Sequence, residues 1–308
     1  MAATLTASAP GSTLITGEHA VLHGHRAIVC AIAQRATAQI TALNVRELRI
    51  TSEIAEPARL PLDAMVAEGP YRFVIAAVLS MAPLEHGFGI DIRSEIDPTL
   101  GFGSSAAVTV AVLFGLQALR GGDVDRFACH SAAVSIIREI QGRGSGADLA
   151  ASLFGGMLTY RAPHGRDTLA EISPLPAPPA ISLRYAGYKT PTAEVLARVA
   201  TAAEVEPTRF AGLYIAMADE AETGIRAAER RDWAALGRSM AAYQELMVAL
   251  GVSDPTLDRI VAEASGTPGL FGCKISGSGL GDCVLALGAK PTGFAPVDPA
   301  PEGVLIHG

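Results

Sequence analysis

The stretch Asp97-Pro98-Thr99-Leu100-Gly101-Phe102-Gly103-Ser104-Ser105-Ala106-Ala107 constrains this chain more than any other. It joins a strand-like run, Gly89–Arg93, to a long apolar helical run, Ala106–Leu119. Glycine lets the backbone turn its N–H groups inward with no Cβ in the way. Ser104 or Ser105 can cap the helix, whose first N–H groups lack internal partners and attract anions. Strand, glycine loop and helix N-terminus together make a phosphate cradle. The same pattern also fits a tight turn ahead of a core helix. It is not the Walker loop, which needs Lys beside the Ser/Thr that follows its last Gly; here Ser105 is followed by Ala106.

The length, 308 residues, suits two medium domains or one large one, and 49% hydrophobic residues allow a sizeable core. No apolar run reaches the roughly 18 to 20 residues of a bilayer span; Ala106–Leu116 is too short and continues into Gln117. The N-terminus has no basic region before its apolar residues, which argues against a signal peptide. Cys30, Cys129, Cys273 and Cys283 are scattered without metal-ligand spacing and read as buried thiols in a reducing compartment. A net charge of −7 with no basic cluster argues against nucleic acid as the main partner. The expectation is a soluble cytoplasmic α/β protein with no membrane partner.

Residues 4–24 alternate short apolar runs with Gly and Pro, and read as two short strands bent around a loop carrying Glu18, His19 and His23. Further strands are expected at Ile28–Asn44, Glu47–Glu53, Met157–Tyr160, Ile181–Tyr185 and Val284–Leu287. Helices are expected at Pro70–Ser80 and Asp125–Ile140. Four amphipathic helices then follow at Thr192–Ala202, Pro207–Ala228, Asp232–Leu250 and Pro255–Ala264. Trp233 reads as core. The Pro-rich segment Pro163–Pro179 resembles a domain seam. Gly277, Gly279 and Gly281 stand before a strand, a pattern that suits close approach to a ligand as well as a plain hairpin turn.

Three glycine-rich segments in this order, with Ser145-Gly146-Ala147-Asp148 before Gly155-Gly156 between the last two, resemble the GHMP family of small-molecule kinases. Ala9-Pro10-Gly11 to Gly17-Glu18-His19-Ala20-Val21-Leu22-His23-Gly24 is similar to the family's N-terminal substrate motif, most of all in its mevalonate-phosphorylating branch. Gly101–Ala107 resembles its phosphate loop, and Lys274–Cys283 its third motif. The resemblance implies an α/β (α+β) fold of two domains: an S5-like N-terminal domain, placed at residues 1–172, and a ferredoxin-like C-terminal domain at 173–308. It implies ATP and Mg²⁺ as cofactors, and transfer of phosphate to the hydroxyl of a small carboxylate, mevalonate foremost. A homodimer is compatible with it.

Carried over by position, Asp148 is the catalytic base. Gly101, Gly103, Ser104, Ser105 and Ala106 hold the nucleotide phosphates, with Ser105 also on Mg²⁺. Glu18, His19, His23 and Thr192 match substrate contacts. Read without the family, Asp148 is equally a helix cap and His23 a core or loop histidine. Two departures stand out. The family's Lys after Pro-Gly is Ser12 here, and its Mg²⁺-ligating Glu, eleven residues before the aspartate, is Ile137. Glu139 lies roughly 200° around the helix from Ile137 and is a poor substitute. Arg143, Lys189 or Lys274 could restore the missing positive charge, with Lys189 the leading candidate for a catalytic cation. Two alternatives stay open: another kinase of the same pathway, acting on a different hydroxyl or a phosphorylated acceptor, and a sensor that binds nucleotide and metabolite without turnover.

Overall fold

A computed structural model of the chain describes residues 3–97, 100–163 and 169–307. Pro98 and Thr99 of the glycine loop, and part of the Pro-rich segment, lie outside the described residues. Strand β1 (Thr4–Thr16) runs antiparallel to β2 (Ala27–Leu43) along almost its whole length. This is one long strand where two short ones are expected from the sequence. Pro10 and Gly11 break the alternation without ending the strand, and the register shifts between them, as at a bulge. Small residues explain why β1 is buried continuously from Ala7 to Thr13. With Ala7, Ala9, Gly11 and Ser12 in place of bulky side chains, helices α2 (Ser104–Leu119) and α4 (Ala147–Phe154) can pack closely on it.

The rest of the N-terminal domain completes an eight-stranded sheet. Strands β3 (Glu47–Ser52), β4 (Ala58–Pro61) and β5 (Gly87–Ser94) extend it beyond β2, in the order β2-β5-β3-β4. The first residues of β2 instead pair with β6 (Met157–Arg161), which pairs in turn with β7 (Glu171–Leu175). Helices α1 (Arg72–Leu79), α2, α3 (Arg126–Gln141) and α4 cover the sheet through an aliphatic core that includes Ile40, Leu48, Ile90, Val110, Leu113 and Ile137.

The C-terminal domain is a four-stranded antiparallel sheet of β8 (Ile181–Lys189), β9 (Leu270–Ser276), β10 (Gly281–Gly288) and β11 (Ala295–Val297). Its order is β11-β8-β10-β9, a ferredoxin-like arrangement in which all the helices sit in one connection. These are α5 (Thr192–Val205), α6 (Pro207–Glu229), α7 (Trp233–Leu250) and α8 (Pro255–Ser265), each within a few residues of its expected bounds. Trp233 lies at the margin of the core, half-buried, while Leu236 and Met240 are sealed inside.

Residues 172 and 173 both lie in β7, an edge strand that pairs with β6 and contains Pro174. The chain also returns at its end: β12 (Leu305–His307) pairs with β1. The domains share an apolar core, in which Ile28, Ile32 and Phe102 meet Leu183, Leu236 and Leu285. Alternate residues of β10 face this shared core and the interior of the C-terminal domain, where Val284 and Ala286 join Tyr243 and Leu257. All four cysteines are buried and free. Among the described residues no helix is long and apolar enough to cross a membrane.

Candidate active site

The bulge at Gly11 is where the site begins. A Cβ there would lie 2.6 Å from the carbonyl oxygen of Phe102, so glycine is what admits the Gly101–Ala107 loop against β1. The next residue, Ser12, is fully buried and fastened twice: its N–H donates to Phe102 O at 3.0 Å, and its Oγ donates to Asp148 Oδ1 at 2.7 Å. Gly103, at φ +66°, passes directly over Ser12, where a Cβ would stand 2.3 Å from the hydroxyl. The Ser12 hydroxyl ties the aspartate to β1, and its N–H ties the glycine loop to the same strand.

Asp148 sits in the first turn of α4, after Gly146 at φ +93°. Tyr160 fixes this turn by donating its hydroxyl proton to Ser145 O, and His130 Nε2 bonds Gly146 O at 3.0 Å. Burial raises the Asp148 pKa above the usual carboxylate range; the Ser12 hydroxyl and the Lys189 charge pull it part of the way back. A carboxylate so placed is a better proton acceptor than a solvated one. Ser104, Ser105 and Ala106 form the first turn of α2, with N–H groups free of intrahelical partners. Gly101, Gly103, Ser104 and Ser105 are partly accessible, while Ala106 is buried.

The third glycine segment closes the site from the other domain. Thr13 and Ser276 hydroxyls meet at 2.9 Å, Ser276 Oγ donates to Leu14 O at 2.8 Å, and His19 Nε2 bonds Ser278 O at 2.9 Å. Lys189 Nζ lies 3.4 Å from Asp282 Oδ2, and the Asp282 carboxylate abuts Gly101, where a Cβ would fall 1.8 Å from Oδ1. Asp282 is a residue that sequence reasoning passes over, because it reads as part of a glycine turn; its φ of +68° is its own unusual backbone geometry.

The remaining sequence candidates occupy different depths. Glu18 is sealed in the interior, its Oε1 paired with Lys274 Nζ at 2.5 Å, with side-chain exposures of 1% and 0%. Desolvation pushes Glu18 up and Lys274 down, and their mutual attraction opposes both shifts. Tyr243 OH also donates to the Glu18 backbone oxygen at 2.6 Å. Glu18 and Lys274 therefore brace the first and third motifs from beneath, and Lys274 presents no charge to the cleft. His19 is buried beside them; His23 stacks on Tyr214 at 3.9 Å between ring centroids. Thr192 is exposed in the first turn of α5, three residues beyond Lys189. Arg143 is exposed on the loop before α4. Ile137 is buried in apolar contacts and Glu139 points to solvent, so no acid side chain of α3 replaces the missing carboxylate.

A glycine loop opening a helix N-terminus, a buried carboxylate beside it and a lysine from the second domain form an arrangement suited to phosphoryl transfer. The model for the GHMP kinases N terminal domain matches residues 71–156, and that for the GHMP kinases C terminal domain matches residues 225–293. The mevalonate kinase of Archaeoglobus fulgidus is 35% identical over 98% of this chain and 100% of its own. Among solved structures, a Lin0012 protein from Listeria innocua has a TM-score of 0.87 at 21% identity, covering 99% of both chains. L. major mevalonate kinase in complex with R-mevalonate has a TM-score of 0.75 at 23% identity, covering 95% of each. The chain belongs to the GHMP kinase family.

Proposed function

We propose that this GHMP kinase transfers the γ-phosphoryl group of ATP to the hydroxyl of mevalonate, giving 5-phosphomevalonate, in the cytoplasm. The observation that carries the reading is Asp148 held by Ser12 beneath the glycine loop, in a chain alignable end to end with a mevalonate kinase. Gly101, Gly103 and the first N–H groups of α2 cradle the phosphates, in space that a Cβ would alter at either glycine. Asp148 orients the acceptor hydroxyl and receives its proton. Lys189 faces the charge that builds on the transferring group.

The donor set fits a Mg²⁺ carried in on nucleotide phosphates, with Ser105 Oγ as a protein ligand. Among the described residues no cluster of three His, Cys, Asp or Glu side chains could cage an ion. When bound, Mg²⁺ neutralises phosphate charge. His23 and Thr192 line the approach to the acceptor, while Glu18 and His19 support that wall from inside. Arg26 is committed to Glu222, which weighs against a phosphorylated acceptor.

The test is ADP release with Mg-ATP and, in turn, mevalonate, phosphomevalonate, homoserine and galactose, with Asp148→Asn alongside. Turnover on mevalonate, lost by at least about a hundredfold in the variant, is expected. Turnover on another acceptor alone would replace the substrate; tight binding of both ligands without turnover would replace the enzyme by a sensor.

A further inference from the structure

Asp282 is the unexplained group of the site. Its carboxylate is buried, Oδ1 has no hydrogen-bond partner among the described residues, and Oδ2 meets Lys189 at 3.4 Å. It is wedged between two glycines: Cβ atoms would stand 1.8 Å from Oδ1 at Gly101 and 3.3 Å from Oδ2 at Gly277. A negative group against an anion cradle opposes phosphate binding unless a cation offsets its charge. Its near charges are Lys189, from the end of β8, and Asp148, from α4; each carboxylate feels the same lysine. Asp148 faces, besides Lys189, the Ser12 hydroxyl on β1 and Tyr160 on β6.

We propose that Asp282 is a positioning residue that holds the Lys189 ammonium between two carboxylates, so that it neither collapses onto Asp148 nor leaves the cleft. A collapsed Asp148–Lys189 pair would lower the affinity of the base for its proton and bury the cation away from the phosphoryl group. The arrangement also places a cation at the site that Ser12, an uncharged residue bonded to Asp148, does not supply. The cation comes from the opposite domain and brings its own counter-charge. This inference rests on the catalytic reading of Asp148 given above.

Three variants test it: Asp282→Asn, Lys189→Met and the double variant, with wild type as reference. In Asp282→Asn, kcat should fall about tenfold or more while KM for mevalonate stays within about twofold. The acid limb of the kcat/KM profile should move to lower pH, because Asp148 then has the lysine to itself and loses a neighbouring negative charge. Lys189→Met should move the same limb to higher pH. In the double variant Asp282→Asn should cost little more than Lys189→Met alone, since the residue acts through the lysine. Additive losses, or an unmoved limb in Asp282→Asn, would overturn the proposal.

Carboxyl ¹³C titration of the apo protein, with Asp148 assigned from Asp148→Asn, reads the same shifts without substrate. Failure of mevalonate turnover would therefore defeat the functional reading and leave this inference separately decidable. If Asp282→Asn does not fold, the Lys189→Met titration decides: Lys189 is one-third exposed, and an unmoved Asp148 would refute the shared cation.

Discussion

His19 shows how a single residue can tie stability to pH in this site. It is 5% exposed, adopts φ +59°, and bonds the Ser278 carbonyl across the domain interface. Burial is the main cause of its pKa falling from 6.5 to about 4, with the charges of His23 and Lys274 adding to the effect and the Ser278 bond opposing it. The bond to a carbonyl identifies Nε2 as the protonated nitrogen of a neutral ring. Because the folded-state pKa is depressed, the unfolded chain takes up a proton that the folded chain refuses as pH falls from 6.5 towards 4. Stability is therefore present above 6.5 and lost through that window, by at most about 3.5 kcal/mol at roughly 1.4 kcal/mol per unit. His130 shifts in the same direction and adds to the slope, whereas Asp148 and Asp282, raised by burial, oppose it. Comparing wild type with His19→Gln cancels these other groups. Urea denaturation at pH 7, 5.5 and 4.5 should give a shallower loss of stability for the variant; parallel losses would exclude His19 as the group responsible.

Among the elements, α4 is the most exposed to a small change, because its entry turn carries Asp148 with little slack. Gly146 has a left-handed backbone, and a Cβ there would lie 2.6 Å from the Tyr160 hydroxyl and 2.7 Å from Val134. Gly146→Ala should therefore destabilise the fold by about 1 to 3 kcal/mol and displace Asp148 from Ser12. Turnover should fall much further than the shift in melting temperature suggests. Near-normal kcat would show that the turn adapts. The loop was legible in the sequence, where Gly142-Arg143-Gly144-Ser145-Gly146-Ala147-Asp148 stands out and Asp148 reads as a possible helix cap, but the short helix Ala147–Phe154 was not among the expected ones. The amphipathic helices α5 to α8 were legible too, since their apolar spacing is strong and Gly251, Pro207 and Pro255 punctuate it. Strands β7, β11 and β12 were not, being short edge strands with proline or without alternation. Nor was the burial of Lys274, because a lysine in a strand ordinarily reaches water and only its pairing with a distant glutamate keeps it inside. Asp282 escaped for a similar reason: its role depends on Gly101 and Lys189, both far away in sequence.

For the whole molecule, the return of the chain end matters more than its few residues suggest. Ala300 N donates to Ala31 O at 2.9 Å, Gly156 N to Ala300 O at 2.7 Å, and Arg35 Nη2 to Ser8 O at 2.8 Å while also reaching Gly303 O at 2.6 Å. His307 Nε2 then meets Ser8 Oγ at 2.8 Å, and β12 covers the outer edge of β1. Gly155 and Gly303 let this segment pass against the end of α4, since a Cβ on Gly303 would stand 2.1 Å from Leu153 O. The tail thus starts in the C-terminal domain and is clamped on the strand that holds Ser12 and on the helix that holds Asp148. Removing residues 299–308 should uncover the β1 edge, which then offers unpaired backbone groups to another chain. It should also free the end of α4. The expected result is a melting temperature several degrees lower and a rise in light scattering on concentration, with kcat reduced more than ATP affinity. A truncated chain that scatters light like the intact one, with unchanged kcat, would show that β1 and α4 are held by the sheet and core alone. The expected result would mean that the last strand of the sequence stabilises the first strand of the active site.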